Sequence, residues 1–234
     1  MFAIMRRELA AYFHSPIGYI FLTAFYFFSG IAFFTGNLMS QNADLGGVFG
    51  FMFNLVLFII PVLTMRLLSE DRKNKTDQAL LTAPITITGM VAGKFLAAAL
   101  VFLLALSVTL VYGFVIAVFT PPNWASILGN FVSTLLLGLS LIAIGMFISS
   151  MTENQVVAAV GGFAVSLLLL LIDIFSSVFT DPLLLSIINA VSFNNRYGSF
   201  SLGIFEYSSV VFFLSICAVF LFLTVRVFEK RRWG

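Results

Sequence analysis

Between Lys94 and Glu153 the chain carries no charged residue. Few folds can absorb a run of that kind. A helix needs about 20 apolar residues to cross the hydrocarbon of a bilayer, and residues 95–152 are long enough for two such crossings. T-P-P-N-W at Thr120–Trp124 divides the run, because consecutive prolines cannot continue a helix and Trp favours the membrane interface. The division predicts one span over Phe95–Phe119 and another over Ile127–Ser150.

The rest of the chain follows the same ruler. Of 234 residues, 61% are hydrophobic, 29 are Phe, and only 9% are charged, where soluble domains average roughly a quarter. So few charges cannot cover this much apolar surface in water, so the solvent for these side chains is lipid. Ile17–Met39, Val48–Leu68 (with Pro61 inside and Arg66 near its end), Gln155–Ile172 and Ser208–Arg226 complete a set of six spans. Spanning segments must satisfy their backbone internally, as helices or closed barrels. These windows are continuously apolar rather than alternating, which predicts an all-α integral membrane fold. The first span has no small-residue cleavage site and is expected to remain as an anchor.

Six spans put both termini on one side. Arg6, Arg7, Arg66, Arg72, Lys73, Lys75, Lys94, Arg226, Lys230, Arg231 and Arg232 fall there; of the 12 Lys and Arg only Arg196 falls opposite. The positive-inside rule then places both termini in the cytoplasm. Residues 1–16 read as an amphipathic surface helix. Phe2, Met5, Leu9, Tyr12 and Phe13 share one face, Arg7 and Glu8 lie elsewhere, and Arg6 snorkels at the border. On the external side, residues 174–207 are expected to form short helices, with a helix start at Asp181–Pro182 and a turn at N-N-R-Y-G, Asn194–Gly198.

Several chemistries are excluded. His14 is the only histidine and Cys217 the only cysteine, which leaves no Ser–His hydrolase site and no transition-metal set. G-M-V-A-G-K-F at Gly89–Phe95 has one residue too few between its glycines for a phosphate loop, and Phe95 where Ser or Thr must hold magnesium. The chain itself is not expected to be an enzyme or to bind a cofactor. Asp173 and Glu206 read as boundary carboxylates. Gly138, Ser140, Gly145, Gly161 and Gly162 permit close helix approach, either within the chain or at a dimer seam.

The exception to this apolar monotony is Ser69–Thr86, S-E-D-R-K-N-K-T-D-Q-A-L-L-T-A-P-I-T. Its charges are mixed, where a stop-transfer flank needs only positives. Asp77–Thr82 reads as a short helix closed before Pro84. Leu80, Leu81 and Ile85 would be apolar residues in the cytoplasm, so the island reads as a structured knob suited to docking on a soluble partner.

The same stretch resembles the permease subunits of ABC-2 type ATP-binding cassette exporters. Arg66-Leu-Leu-Ser69-Glu70-Asp71-Arg72, Thr76 and Leu80-Leu81-Thr82-Ala83-Pro84-Ile85-Thr86 resemble the pattern R-x-x-S-E-E-R, then G-T-x-E-x-L-L-T-x-P-(I/V)-(S/T). Asp71 replaces the second Glu, Lys75 stands where Gly is common, and Gln78 stands where Glu is common. The whole chain is similar to one such transmembrane domain, and looks closest to the permeases of gliding motility and nitrous-oxide-reductase maturation. The resemblance implies that residues 69–93 form the coupling region to a separate cytoplasmic ATPase, which would hold the ATP and magnesium. Leu80, Leu81 and Pro84 would be its apolar contact. Glu70, Asp71 and Arg72 would orient the knob against the surface helix that carries Arg6, Arg7 and Glu8. Thr76 and Thr82 belong to the same motif. A second permease, identical or different, would complete a path lined by spans one, two and five.

The function expected is export, or removal of an amphipathic substrate from the inner leaflet, in the bacterial inner membrane. The alternative is a mechanotransmitter that drives an external partner without transport. Lipid is an expected partner, nucleic acid is not, and an accessory subunit with an external domain is left open.

Overall fold

In lipid the backbone must bond to itself, and in this computed structural model every regular element among the described residues is helical. The structure describes residues 1–75, 86–178, 188–189, 191–201 and 206–233. The elements are α1 (Phe2–His14), α2 (Pro16–Phe33), α3 (Gly46–Thr64), α4 (Ser69–Lys73), α5 (Ile87–Leu106), α6 (Val108–Phe119), α7 (Trp124–Met151), α8 (Gln155–Val178), α9 (Phe193–Ser201) and α10 (Tyr207–Trp233). Six stretches are long and apolar enough to cross a membrane: Pro16–Met39, Gly46–Lys73, Ile87–Phe119, Trp124–Met151, Gln155–Ile172 and Tyr207–Arg231.

Three features differ from the sequence expectation. The third spanning stretch begins at Ile87 rather than Phe95. Thr86 caps it, its Oγ1 accepting the Gly89 N–H at 3.2 Å. At 1.5 Å per residue this stretch is about 50 Å long, well beyond the roughly 30 Å hydrocarbon core. Residues 87–93 are helical, and Lys94 sits inside that helix. The fifth span has its expected bounds, Gln155–Ile172, and its helix runs on to Val178. Asn194–Gly198 is part of α9, not a turn. The second span continues through a tight bend into α4. The expected helix start at Asp181–Pro182 lies outside the described residues.

α7 is the axis of the bundle. It packs against α3, α5, α8, α9 and α10, and its spanning window is the most buried of the six. Small residues make this possible. A Cβ on Gly138 would collide with the Phe102 ring, and one on Gly145 with Thr64. Gly162, on α8, has the Pro61 Cβ at 2.9 Å from where its own Cβ would lie. The glycines flagged in the sequence are thus used inside one chain, where they bring α5, α3 and α8 onto their neighbours. The core between these helices is filled; Phe25, Phe49, Met52, Leu57 and Phe102 are fully buried.

At the end away from α1, α9 is pinned by Tyr197. Its hydroxyl donates to the Phe49 carbonyl at 2.8 Å and shares a hydrogen bond with Thr134 Oγ1 at 2.9 Å. Phe193 packs edge-on to Phe212 and Phe213 of α10.

Candidate functional site: a charged hub where the termini meet

α3 runs through Pro61 and ends at Thr64, where the turn residues 65–68 begin. The chain then bends, and Ser149 of α7 fixes the bend. Its Oγ accepts the Leu68 and Ser69 N–H groups at 3.2 and 3.0 Å and donates to the Met65 carbonyl at 3.0 Å. Backbone groups left over at a helix end are satisfied here by one buried hydroxyl. α4 follows, carrying Glu70, Asp71 and Arg72 into a cluster of ion pairs.

Lys94 is the centre of that cluster. Its side chain is 1% exposed. The ammonium lies 2.7 Å from Asp71 Oδ2 and 3.0 Å from Glu8 Oε1, and donates to the Leu67 carbonyl at 2.8 Å. The ammonium thus makes one hydrogen bond, to a backbone carbonyl, and two close ion pairs. A buried charge is tolerated only when paired and hydrogen-bonded, and Lys94 is both. Three segments meet on this one atom: the surface helix through Glu8, the base of the island through Asp71 and Leu67, and the third span through Lys94 itself.

The neighbouring residues reinforce the junction. Gly93 lets α1 cross α5 closely: a Cβ there would sit 3.0 Å from the Met1 carbonyl oxygen and 3.2 Å from Ile4. Arg7 hydrogen-bonds Glu8 at 2.6 Å, which raises its pKa above the ordinary value. Arg66 pairs with Glu70 at 2.8 Å, donates to Ser15 Oγ and lies over the Tyr12 ring. Tyr12 is buried, and its hydroxyl donates to the Leu63 carbonyl at 2.9 Å. Burial pushes that phenol far above its usual range, so it remains a donor. On the far side, Arg72 pairs with Glu153 at 3.1 Å and reaches the Ser150 carbonyl at 3.4 Å. Arg231, near the end of α10, donates to the same carbonyl at 2.6 Å. Both termini therefore lie at this end of the bundle.

Of the residues singled out in the sequence, Glu8 and Asp71 meet on Lys94 and Arg7 joins Glu8, whereas Glu70 pairs with Arg66 and Arg72 with Glu153; Arg6 is exposed. Thr76, Leu80, Leu81, Thr82 and Pro84 lie outside the described residues. Two readings are corrected. The wheel placed Tyr12 on the lipid face and Glu8 away from the apolar side. In the structure Ile4, Glu8 and Tyr12 face the protein, while Phe2 is 73% exposed. α1 has two working faces, one toward the bundle and one toward lipid. Lys94, counted only as a flanking positive charge, is the buried centre. The signal was available: an ionisable residue enclosed by apolar residues on both sides, M-V-A-G-K-F-L, is by default a site with a partner.

The described residues contain no group of His, Cys, Asp and Glu placed to hold a metal. Two of their cavities lie at the edges of the bundle. One of about 360 Å³ sits between the start of α5 and the end of α10, lined by Thr88, Val91, Leu221 and Arg226. Another of about 490 Å³ lies beside α9, lined by Phe53, Asn54, Asn194 and Tyr197.

Among the described residues, six helices long and apolar enough to span, with a buried ionic junction at one end, define a multi-pass membrane protein. The family model described as ABC-2 family transporter protein matches residues 9–233. The chain belongs to that family, a membrane component of transport systems. A search of curated proteins gives no match.

Proposed function

We propose that this chain is the permease subunit of an ATP-binding cassette exporter and couples a separate cytoplasmic ATPase to substrate movement. The observation that carries this reading is the family match over almost the whole chain, joined to an island whose base is anchored on α1, α5 and α7. A knob that receives force must not pivot at its root. Here Lys94 and Ser149 hold its N-terminal side, and the Thr86 cap starts the helix on its C-terminal side.

The charge bias puts this end in the cytoplasm. ATP would close two ATPase subunits, and the islands of two permeases would follow. The packed core of a single chain supports a path between two copies rather than through one. Spans one, two and five would line it. A ligand shifts such an equilibrium only by its differential affinity for the two states. The likeness to the gliding-motility and nitrous-oxide-reductase-maturation branch keeps the mechanotransmitter as the second reading, in which the same motion drives an external partner.

The test is co-purification in lipid nanodiscs with the ATPase encoded nearest to this chain. Wild type is expected to retain the ATPase and Leu80→Asp/Leu81→Asp to lose it. No association with wild type would remove the reading.

A further inference from the structure

The Gly93–Lys94 pair failed as a phosphate loop, yet its lysine is buried at the meeting point of three segments. We propose that Lys94 is a positioning residue that binds α1, the base of the island and the third span into one rigid transmitting unit. Movement of the island would then reach span one, through α1, and span three at the same time. This rests on the proposed ATPase coupling.

The geometry argues for a tie rather than for a chance surface pair. The Lys94 ammonium lies 2.7 Å from Asp71 and 3.0 Å from Glu8, on two different segments, and donates to the Leu67 carbonyl at 2.8 Å. Neither carboxylate is freely solvated: side-chain exposure is 16% for Asp71 and 14% for Glu8. Glu8 Oε1 is itself shared with Arg7. Removal of Lys94 would leave the half-buried Asp71 and Glu8 carboxylates without the cation that they share. Gly93 removes the bulk that would otherwise hold α1 away from this charge. The second anchor of α1, Tyr12 on Leu63 with Arg66 on Ser15, grips its opposite end. Loss of the lysine tie should thus free the N-terminal half of α1 and leave the C-terminal half attached.

The experiment measures spin-label distances by pulsed electron resonance in nanodiscs, on the full chain with and without its ATPase, in a Cys217→Ser background. Labels go at Ala3 in α1, Leu100 in α5 and Val219 in α10, all exposed. In wild type the Ala3–Leu100 distance is expected to be single and narrow, and unchanged by ATP with vanadate. Both labels should shift together relative to Val219. Lys94→Met should abolish the narrow Ala3–Leu100 peak. Glu8→Gln is the milder variant, since it leaves the Lys94–Asp71 pair and covers the case where Lys94→Met does not accumulate. In Glu8→Gln, nucleotide should still move Leu100 relative to Val219 without carrying Ala3. A purely structural role would not separate these two responses.

A narrow peak retained in both variants would overturn the tie, and so would a wild-type Ala3–Leu100 distance that changes with nucleotide. If wild type binds no ATPase, the exporter reading fails separately. The nucleotide-free comparison of wild type with the variants then still decides whether Lys94 holds α1.

Discussion

The two ends of this bundle are held by different forces. Where the termini meet, the joints are ionic: Lys94 with Glu8 and Asp71, Arg66 with Glu70, and Arg72 with Glu153. At the opposite end the described joints are mostly neutral. Tyr197 is held by a carbonyl and a hydroxyl, and Asn37 Nδ2 closes the end of the first span by donating to the Asn42 and Asp44 carbonyls at 2.7 and 2.9 Å. Aromatic rings fill the rest, with Phe33 stacked on Tyr112 at 4.4 Å. Ion pairs fix a few atoms strongly and can be broken by one proton or one substitution. Aromatic packing spreads the same task over many weak contacts. An end that must pass on a defined movement benefits from the first arrangement, and an end that must keep its shape benefits from the second.

The comparison can be broken in graded steps. The largest effect is expected from Lys94→Met. Breaking one member of a buried ionic cluster typically costs about 3–5 kcal/mol, because the partners are left uncompensated. Thermal unfolding in detergent should show it, and Glu8→Gln/Asp71→Asn in the same chain should return part of the loss.

Next comes Gly138→Val, which belongs to neither end. It forces the Phe102 ring out of the α5–α7 contact, and overpacking of this kind costs about 1–3 kcal/mol. The same melt would measure it, with no dependence on salt.

Tyr197→Phe should cost about 1–2 kcal/mol, since the buried Phe49 carbonyl and Thr134 hydroxyl lose a partner. Proteolysis near α9 should rise before the whole bundle melts.

The smallest effect is expected from Arg72→Gln. Glu153 is 66% exposed, and exposed pairs contribute about 0–1 kcal/mol with strong salt screening. Its cost should vanish at high ionic strength while that of Lys94→Met persists. If both respond alike to salt, the Lys94 cluster is more hydrated than its burial indicates.

Much of this was legible in the chain itself. The uncharged run and the T-P-P-N-W break located spans three and four. The charge bias grouped the termini with the island, and Arg231 and Arg72 do meet at the Ser150 carbonyl. What escaped were features that depend on direction. A helical wheel gives angles but not the side on which the protein lies, so Tyr12 and Glu8 were turned outward. Hydropathy gives apolar length but not where a helix begins, so the third span was started at Phe95 and Lys94 was counted as a flank.

The sequence by itself determined the solvent, the number of spans and the sharing of one side by both termini, because the cost of placing charge or unbonded backbone in hydrocarbon outweighs local preference. Only the tertiary structure decided which glycines face which helix and which carboxylates reach Lys94. Those outcomes rest on contacts a few ångströms long between segments far apart in the chain, and no local pattern encodes the distance between Glu8, Asp71 and Lys94.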